Sequence, residues 1–249
     1  ADVPVESSQH GSALMYRVLD RYPADRLRIV ETGVSSQPQR RLPGVAYDHH
    51  EIGRRRVINS RVHGLYSAWL TERAGADGRG LARRLAGQKP DSVMTVGQGF
   101  GWRAAPAAAA RWQVPLQFVV HDDWPRLSAI PGVLRAWLDA EFGRAYRQAS
   151  NRLCVSPGMA EAYERRYGAA GTVMYPARSS GCPVFPPLPP RPLGDRDELV
   201  LGYGGNSGAE TMSGLLLLAQ ALRNQRARVE VFGAFDDRAQ RAILEISPA

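Results

Sequence analysis

The chain has 249 residues, of which 44% are hydrophobic and 22% charged, and it carries a formal net charge of +8 at pH 7. These globular proportions exclude a collagen, a coiled coil and a wholly disordered chain, and the length suits one large domain or two smaller ones. No run of about 18 apolar residues occurs and no signal peptide is visible, so we expect no membrane-spanning segment. Because the first residue is Ala1 rather than Met, we expect the natural N-terminus to be missing or processed.

The positive charge comes from arginine, because Lys89 is the one lysine among 32 basic residues. This skew favours codon bias from a GC-rich genome, and the alternative is an anionic partner, either phosphates or an anionic lipid surface. Arg54, Arg55 and Arg56 are the candidate contact with such a lipid surface. No nucleic-acid-binding motif accompanies the arginines, so no nucleic-acid partner is predicted.

The two cysteines, Cys154 and Cys182, do not form a CxxC pair, so the sequence predicts no metal site. With no secretory signal visible, we expect two reduced thiols in a cytoplasmic protein, with Cys154 in the core. The alternative location is peripheral, at the inner face of the membrane.

Short β-rich runs alternate with helical stretches along the first 175 residues. A helix is predicted over 11–22. Five strands are predicted at 27–31, 92–96, 116–120, 152–155 and 172–175. Longer helices are predicted over 54–74, 131–149 and 157–167, the first with an apolar stripe of Val57, Ile58, Val62, Leu65, Tyr66 and Trp69. This alternation predicts an α/β fold with one parallel sheet, and a first strand preceding residue 11 is expected to be missing.

Seven prolines between residues 176 and 192 predict a stiff, extended linker that separates two domains. We therefore divide the chain into a domain at 1–175, a linker at 176–198 and the start of a second parallel α/β domain at 199–249. Strands at 199–203 and 229–232 alternate there with helices at 210–225 and 237–246. A stretch of 51 residues is too short for such a domain, so the second domain is expected to be incomplete.

Parallel sheets bind ligands beyond the carboxyl ends of their strands, and four loops fall there. The first holds His10, Gly11 and Ser12, and the second holds Gly97 and Gly99. Both are candidate substrate-binding loops, because small residues before a helix leave backbone amides for an anion. Helix capping and a tight turn explain the same residues equally well.

The third loop carries the sharpest signal, because His121, Asp122 and Asp123 follow directly on an apolar strand. The histidine is a candidate to bind or deprotonate a substrate hydroxyl, and one of the aspartates to fix its tautomer. A polar turn with an aspartate cap is the alternative interpretation.

The fourth loop, at 202–208, is a candidate phosphate site, with Gly204, Gly205, Asn206 and Ser207 before a helix, or else a flexible turn. No GxSxG, HExxH, Walker or complete Rossmann GxGxxG motif is present. This argues against an α/β-hydrolase, a zinc protease, a P-loop NTPase and a typical dehydrogenase.

The order of these motifs resembles the GT-B glycosyltransferases of the group 1, or family 4, type. The resemblance runs from about Gly11 to Gly233 and is carried by three stretches. They are His-Asp-Asp-Trp-Pro at 121–125, Val-Ser-Pro-Gly-Met at 155–159 with Tyr167-Gly168, and Gly-Tyr-Gly-Gly at 202–205 with Val-Phe-Gly at 231–233.

The resemblance implies two Rossmann-like domains and transfer of a sugar from a nucleotide-diphosphate donor to an acceptor, with retention and without a metal ion or other cofactor. The acceptor is a glycan, a lipid-linked molecule or a small molecule. It also implies that His121 lies at the sugar donor and acceptor in a cleft between the domains, and that Ser156 belongs to the substrate site. This chain lacks the Arg and Lys that the family carries after the first strand of its second domain, and the family's Glu-rich donor motif would lie beyond Ala249.

Two other functions stay open. One is a GT-B sugar-nucleotide epimerase, and the other is a non-catalytic sugar- or nucleotide-binding module, which the missing Arg and Lys favour. We expect the 249-residue chain by itself to be inactive, because its donor-binding domain is incomplete.

Overall fold

The structure is a computed structural model that describes residues 4–7, 12–53, 60–176, 178, 183–184, 186–187, 198–206, 209–234 and 241. The chain divides into two compact units, Ala1–Pro183 and Val184–Ala249. The division falls inside the predicted linker, most of which lies outside the described residues. The domain boundaries given above therefore stay a prediction.

The first unit alternates strands with helices. Its described helices are α1 (Ser12–Leu19), α2 (His63–Arg84), α3 (Gly101–Trp112), α4 (Trp124–Leu127), α5 (Arg135–Gln148) and α6 (Pro157–Tyr167). Its described strands are β1 (Arg28–Glu31), β2 (Ala46–His49), β3 (Val93–Val96), β4 (Leu116–Val120), β5 (Asn151–Cys154) and β6 (Thr172–Val173). The α/β class is thereby confirmed, and β1, β3, β4 and β5 begin and end within one residue of their predicted bounds.

Every strand pair is parallel, but the strands form two sheets in place of the single sheet predicted. One sheet pairs β1 with β2, and the other has the order β3-β4-β5-β6. No strand among the described residues pairs with both β1 and β3, so the hydrogen-bonded ladder is divided there. The two sheets lie side by side at their amino ends, where Arg26 before β1 pairs with Asp91 before β3 at 3.5 Å.

Strand β4 is central because both of its faces are covered. Phe118 and Val120 pack on one side into a core with Trp102 and Phe142. Val119 packs on the other side with Ile29 and other residues of the α1–β1 region. Four of its five residues are apolar, which is the pattern of a parallel strand that is buried on both faces, and the sequence predicted this strand correctly.

The apolar stripe predicted for the second helix was assigned to the wrong face. Val62, Leu65 and Trp69 are exposed, whereas the buried face is made chiefly of small residues. Its buried members are Ala68, Leu70, Thr71, Ala74, Gly75, Gly78, Leu81 and Ala82. Helix α2 packs so closely on α3 that a Cβ on Gly78 would clash with the carbonyl oxygen of Ala104, and only small side chains fit between them. Val57 and Ile58 lie outside the described residues.

The helix predicted over 131–149 also begins later than expected. A short 3-10 turn, Gly132–Leu134, precedes α5, and Val133 in this turn is 90% exposed. The buried face of α5 begins at Leu138 and includes Phe142 and Tyr146.

The second unit contains one parallel β–α–β element, formed by β7 (Leu199–Asn206), α7 (Ala209–Leu222) and β8 (Ala227–Ala234). Strand β7 is three residues longer than predicted. Gly204, Gly205 and Asn206 therefore lie in the strand, opposite Phe232, Gly233 and Ala234 of β8, and not in the loop that the glycines suggested. The helix predicted over 237–246 lies outside the described residues except for Arg241.

Candidate functional site

The end of strand β4 is held on both sides before the chain turns. The amide of Gly97 donates to the carbonyl of Val119 at 2.7 Å, and the amide of Val155 donates to the carbonyl of Val120 at 3.1 Å. His121 is the next residue, so its backbone leaves a strand whose position is fixed by β3 and β5. The site residue that the sequence favoured most thus lies at the carboxyl end of the central strand, where parallel sheets bind ligands.

His121 and Asp122 form a pair that is open to solvent on one side. The imidazole Nδ1 lies 3.4 Å from Oδ2 of Asp122, and the side chains are 18% and 41% exposed. With a carboxylate at Nδ1, the tautomer protonated at Nδ1 is favoured, which leaves Nε2 able to accept a proton or a hydrogen bond. The pair therefore has the chemistry needed to orient a hydroxyl group or to take its proton.

Asp123 differs from Asp122, because its carboxylate is fully engaged within the protein. Arg166 of α6 donates from Nη1 to Oδ1 at 2.9 Å and to Oδ2 at 3.2 Å. Arg126 adds an ion pair from Nε to Oδ2 at 3.2 Å. A carboxylate held by two guanidinium groups holds the turn after His121 in place.

Arg166 ties this turn to helix α5 as well as to α6. Its Nη2 lies 2.6 Å from Oδ1 of Asp139, which also accepts a 2.6 Å hydrogen bond from the hydroxyl of Tyr167. The hydroxyl of Tyr163 donates to the carbonyl of Asp122 at 3.4 Å. Burial raises the pKa of Tyr163 and of Tyr167 well above the usual range, so both phenols stay protonated and act as donors.

The glycines of the second candidate loop have different structural roles. Gly97 is buried, and a Cβ there would lie 2.9 Å from Cζ of Phe142 and 3.0 Å from Cε1 of Phe118. Core packing therefore accounts for this glycine, and its amide is already bound to Val119. Gly99 has a φ of +63°, a left-handed conformation that glycine adopts without strain, directly before α3.

Ser156 caps helix α6. Its Oγ accepts a 3.2 Å hydrogen bond from the amide of Met159, Pro157 occupies the first turn, and Gly168 ends the helix in a left-handed conformation. Gly168 is the stop signal from which the sequence predicted the end of this helix. The cap accounts for the acceptor capacity of the hydroxyl, and its proton remains available to a ligand.

Several predicted site residues cannot be placed together with His121. His10, Gly11 and Ser207 lie outside the described residues, and Ser12 begins α1 without a described side chain. Gly204, Gly205 and Asn206 belong to the second unit, at the end of β7.

Sequence reasoning missed a buried carboxylate at the end of β1. Glu31 is completely buried, accepts a 2.8 Å hydrogen bond from the amide of Ser36 at Oε1, and pairs through Oε2 with Nη2 of Arg41 at 3.3 Å. The guanidinium of Arg41 also lies 4.6 Å from the ring centroid of Tyr47. The signal available in the sequence was an acidic residue directly after a short apolar strand.

A cavity of about 560 Å³ lies between His50, which follows β2, and one face of α2. Its lining includes Trp69, Arg73, Asp77 and Arg83. Burial lowers the pKa of His50, and the nearby Arg84 lowers it further. The sequence did not predict this cavity, because strand β2 was not recognised in Ala46–His49, where two apolar residues are followed by two polar ones.

Within the described part of the chain, no group of three or more His, Cys, Asp or Glu side chains is arranged to hold a metal ion. None of the described helices combines the length and the apolar character that crossing a bilayer requires.

Two units with parallel α/β sheets are the architecture of the GT-B glycosyltransferase type. The model of Glycosyltransferase Family 4 matches residues 35–177, which is more than half of the chain. The chain belongs to this family, and the resemblance noted in the sequence is thereby confirmed. No curated protein matches its sequence.

Solved structures share this fold at low sequence identity. The lipopolysaccharide outer core galactosyltransferase WaaB, in its apo form, is 15% identical with a TM-score of 0.50 over 88% of this chain and 55% of its own. HepE (Alr3699) of Anabaena, solved in complex with UDP and glucose, is 13% identical with a TM-score of 0.52 over 98% of this chain and 63% of its own. The chain thus spans less than two thirds of the length of either structure.

Proposed function

We propose that this chain is part of an enzyme that transfers a sugar from a nucleoside-diphosphate donor to an acceptor hydroxyl group, with retention of configuration and without a metal ion. The observation that carries the proposal is the position of His121, directly after the buried central strand and paired with Asp122 at 3.4 Å. Membership of Glycosyltransferase Family 4 supports the reaction class. HepE supports the donor class, since its structure holds UDP and glucose.

In this proposal, His121 orients the reacting hydroxyl group through Nε2, and Asp122 keeps the imidazole in the required tautomer. Asp123 is a positioning residue, because its carboxylate is bound by Arg166 and Arg126. The other substrate contacts proposed in the first unit are Ser156 at the start of α6, Gly99 before α3, and His10, Gly11 and Ser12. Gly97 contributes to this site through packing alone.

The donor diphosphate is proposed to bind where β7 ends and α7 begins. The strand ends with Gly204, Gly205 and Asn206, Ser207 follows, and α7 begins at Ala209. A helix amino terminus after a parallel strand stabilises phosphate through backbone amides and the helix dipole. This arrangement supports diphosphate binding without the Arg and Lys that the family usually carries there.

The proposal is tested with the product of the complete reading frame and UDP- and GDP-sugars offered together with acceptor mixtures. We expect nucleoside diphosphate release that requires an acceptor and continues in EDTA. Replacement of His121 by Ala is expected to abolish it, whereas replacement of the exposed His63 by Ala is expected to leave it unchanged.

Other outcomes decide between the alternatives. Conversion of the sugar nucleotide without an acceptor would assign the chain to an epimerase. Nucleotide binding without any turnover would assign it to a binding module. Either result would overturn the proposal.

We also propose a cytoplasmic location with peripheral contact to an anionic membrane, although Arg54, Arg55 and Arg56 lie outside the described residues.

A further inference from the structure

Helix α2 presents large apolar side chains to solvent along its first two turns. Val62, Leu65 and Trp69 are spaced by three and four residues, so they lie on one face of the helix, and each is more than half exposed. The opposite face packs on α3 through small residues, so α2 is already anchored without them. Val62 and Leu65 belong to no described core cluster, and Trp69 packs through one ring face on Tyr66, with 5.6 Å between the ring centroids.

A second segment with exposed apolar side chains lies against the same end of α2. A Cβ on Gly64 would be 2.8 Å from the carbonyl oxygen of Ala129 and 3.2 Å from Cδ of Pro131, so the first turn of the helix rests on this loop. Leu127, which is 60% exposed, precedes the loop, and Val133, which is 90% exposed, follows it. We call the surface formed by Val62, Leu65, Trp69, Leu127 and Val133 the α2 patch.

Positive charge lies beside the α2 patch. Arg61 and Arg135 are exposed and lie next to Val62 and within two residues of Val133, whereas Arg126 is paired with Asp123 at 3.2 Å. The neighbouring carboxylates are already paired: Glu72 with Arg103 at 3.7 Å, and Asp123 with Arg166 at 2.9 Å. With a net charge of +8 on the whole chain, the patch is complementary to an anionic surface.

We propose that the α2 patch docks this protein onto an anionic lipid bilayer. The apolar side chains on one face of α2 are bordered by basic ones, an arrangement suited to insertion among anionic headgroups. Trp69 carries both an apolar ring and an N–H donor, which favours the depth of the lipid headgroups, and the arginines bind lipid phosphates. The inference deepens the peripheral membrane contact within the proposed function, and it places that contact at residues the sequence had assigned to the core.

The test is sedimentation of the full chain with phosphatidylglycerol vesicles and, separately, with phosphatidylcholine vesicles at low ionic strength. We expect pelleting with the anionic vesicles alone, reversed by salt, because the electrostatic attraction is screened. The patch variant combines Leu65→Glu with Val133→Glu. The matched control combines Tyr22→Glu with Val34→Glu, which are exposed apolar residues elsewhere in the first unit and change the net charge equally.

We expect the patch variant to bind about tenfold or more weakly and the control within about twofold of the original chain. Brominated phosphatidylglycerol should also quench the fluorescence of Trp69, and Trp69→Phe should remove that quenching. Equal loss in the two double variants, or no pelleting of the original chain, would overturn the proposal. Self-association that the patch variant abolishes would also overturn it and assign the surface to a second copy. The vesicle experiments contain no sugar substrate, so their results do not depend on whether the proposed transferase activity is found.

Discussion

Two strand ends in the first unit carry a carboxylate, and the structure uses them in opposite ways. Glu31, the last residue of β1, is completely buried and bound by Ser36 and Arg41. Asp122, two residues beyond β4, is 41% exposed and contacts His121. The comparison shows that position at the end of a parallel strand does not by itself make a carboxylate available to a substrate. Burial and internal partners decide whether it stabilises the fold or remains free for chemistry.

The largest effect is expected from substitution of His121, because it lies at the end of β4, the strand end that is open to solvent. His121→Ala should lower the turnover rate per folded molecule by about 10²- to 10⁴-fold, the usual contribution of a general acid or base. The melting temperature should change little, because the side chain is not part of a core cluster. Turnover and thermal melting are measured together, with His63→Ala as the matched control. A normal rate per folded molecule would show that His121 is only part of a turn.

At the end of β1, where Glu31 is buried, a substitution should lower the stability of the fold and leave the reaction rate unchanged. Arg41→Ala leaves the carboxylate of Glu31 buried without its cation, so the free energy of unfolding should fall by about 3 kcal/mol. Urea unfolding measures this, with the neighbouring exposed Arg40→Ala as the control. Addition of Glu31→Gln should recover a large part of the loss, because it removes the buried charge. No recovery would mean that Arg41 acts through packing on Tyr47.

Substitution of Arg166 should affect both stability and reaction rate, because this partly buried cation holds the turn that carries the solvent-exposed His121 and Asp122. Arg166→Met should lower the free energy of unfolding by about 2 kcal/mol, since a charged hydrogen-bond network is lost. It should also lower kcat about tenfold with little change in KM, because His121 is displaced without loss of a substrate contact.

Arg166→Lys should restore part of kcat, because a cation again faces Asp123. Arg165→Met, which removes the exposed neighbour paired with Glu161, is the control. A loss of stability with kcat per folded molecule intact would limit Arg166 to a structural role.

The smallest effect is expected at His50, which follows β2 and faces the cavity beside α2. Its folded-state pKa lies below the ordinary value of 6.5, because burial and Arg84 disfavour the charged imidazole. The unfolded chain therefore binds the proton more tightly, and the free energy of unfolding falls as pH decreases below about 6.5. His50→Gln should flatten this part of the stability curve, measured by urea unfolding between pH 5 and pH 7. An unchanged slope would contradict the assigned shift.

The sequence predicted those parts of the fold whose signals are local. Strand β4 was found because four of its five residues are apolar, and the end of α6 because Gly168 stops the helix. His121 was found because it follows directly on β4. These features need no knowledge of distant contacts.

The remaining features depend on contacts that are distant in the chain. The face of α2 was misassigned because Val62, Leu65 and Trp69 are more hydrophobic than the alanines and glycines that pack on α3, and hydrophobicity alone carries no information about how closely two helices approach. Arg166 was missed as a partner of Asp123 because 43 residues separate them. Strand β2 was missed because its residues, Ala46–His49, include no β-branched side chain and end in two polar ones.

Burial of Cys154 has a consequence for following the protein in solution. The thiol is fully buried in β5, 3.6 Å from the hydroxyl of Tyr146, and burial raises its pKa. At neutral pH it is therefore a protonated, inaccessible thiol that should react with alkylating reagents only when the sheet opens. Mass-spectrometric detection of alkylation at this cysteine would report the opening rate of the central sheet without any engineered label.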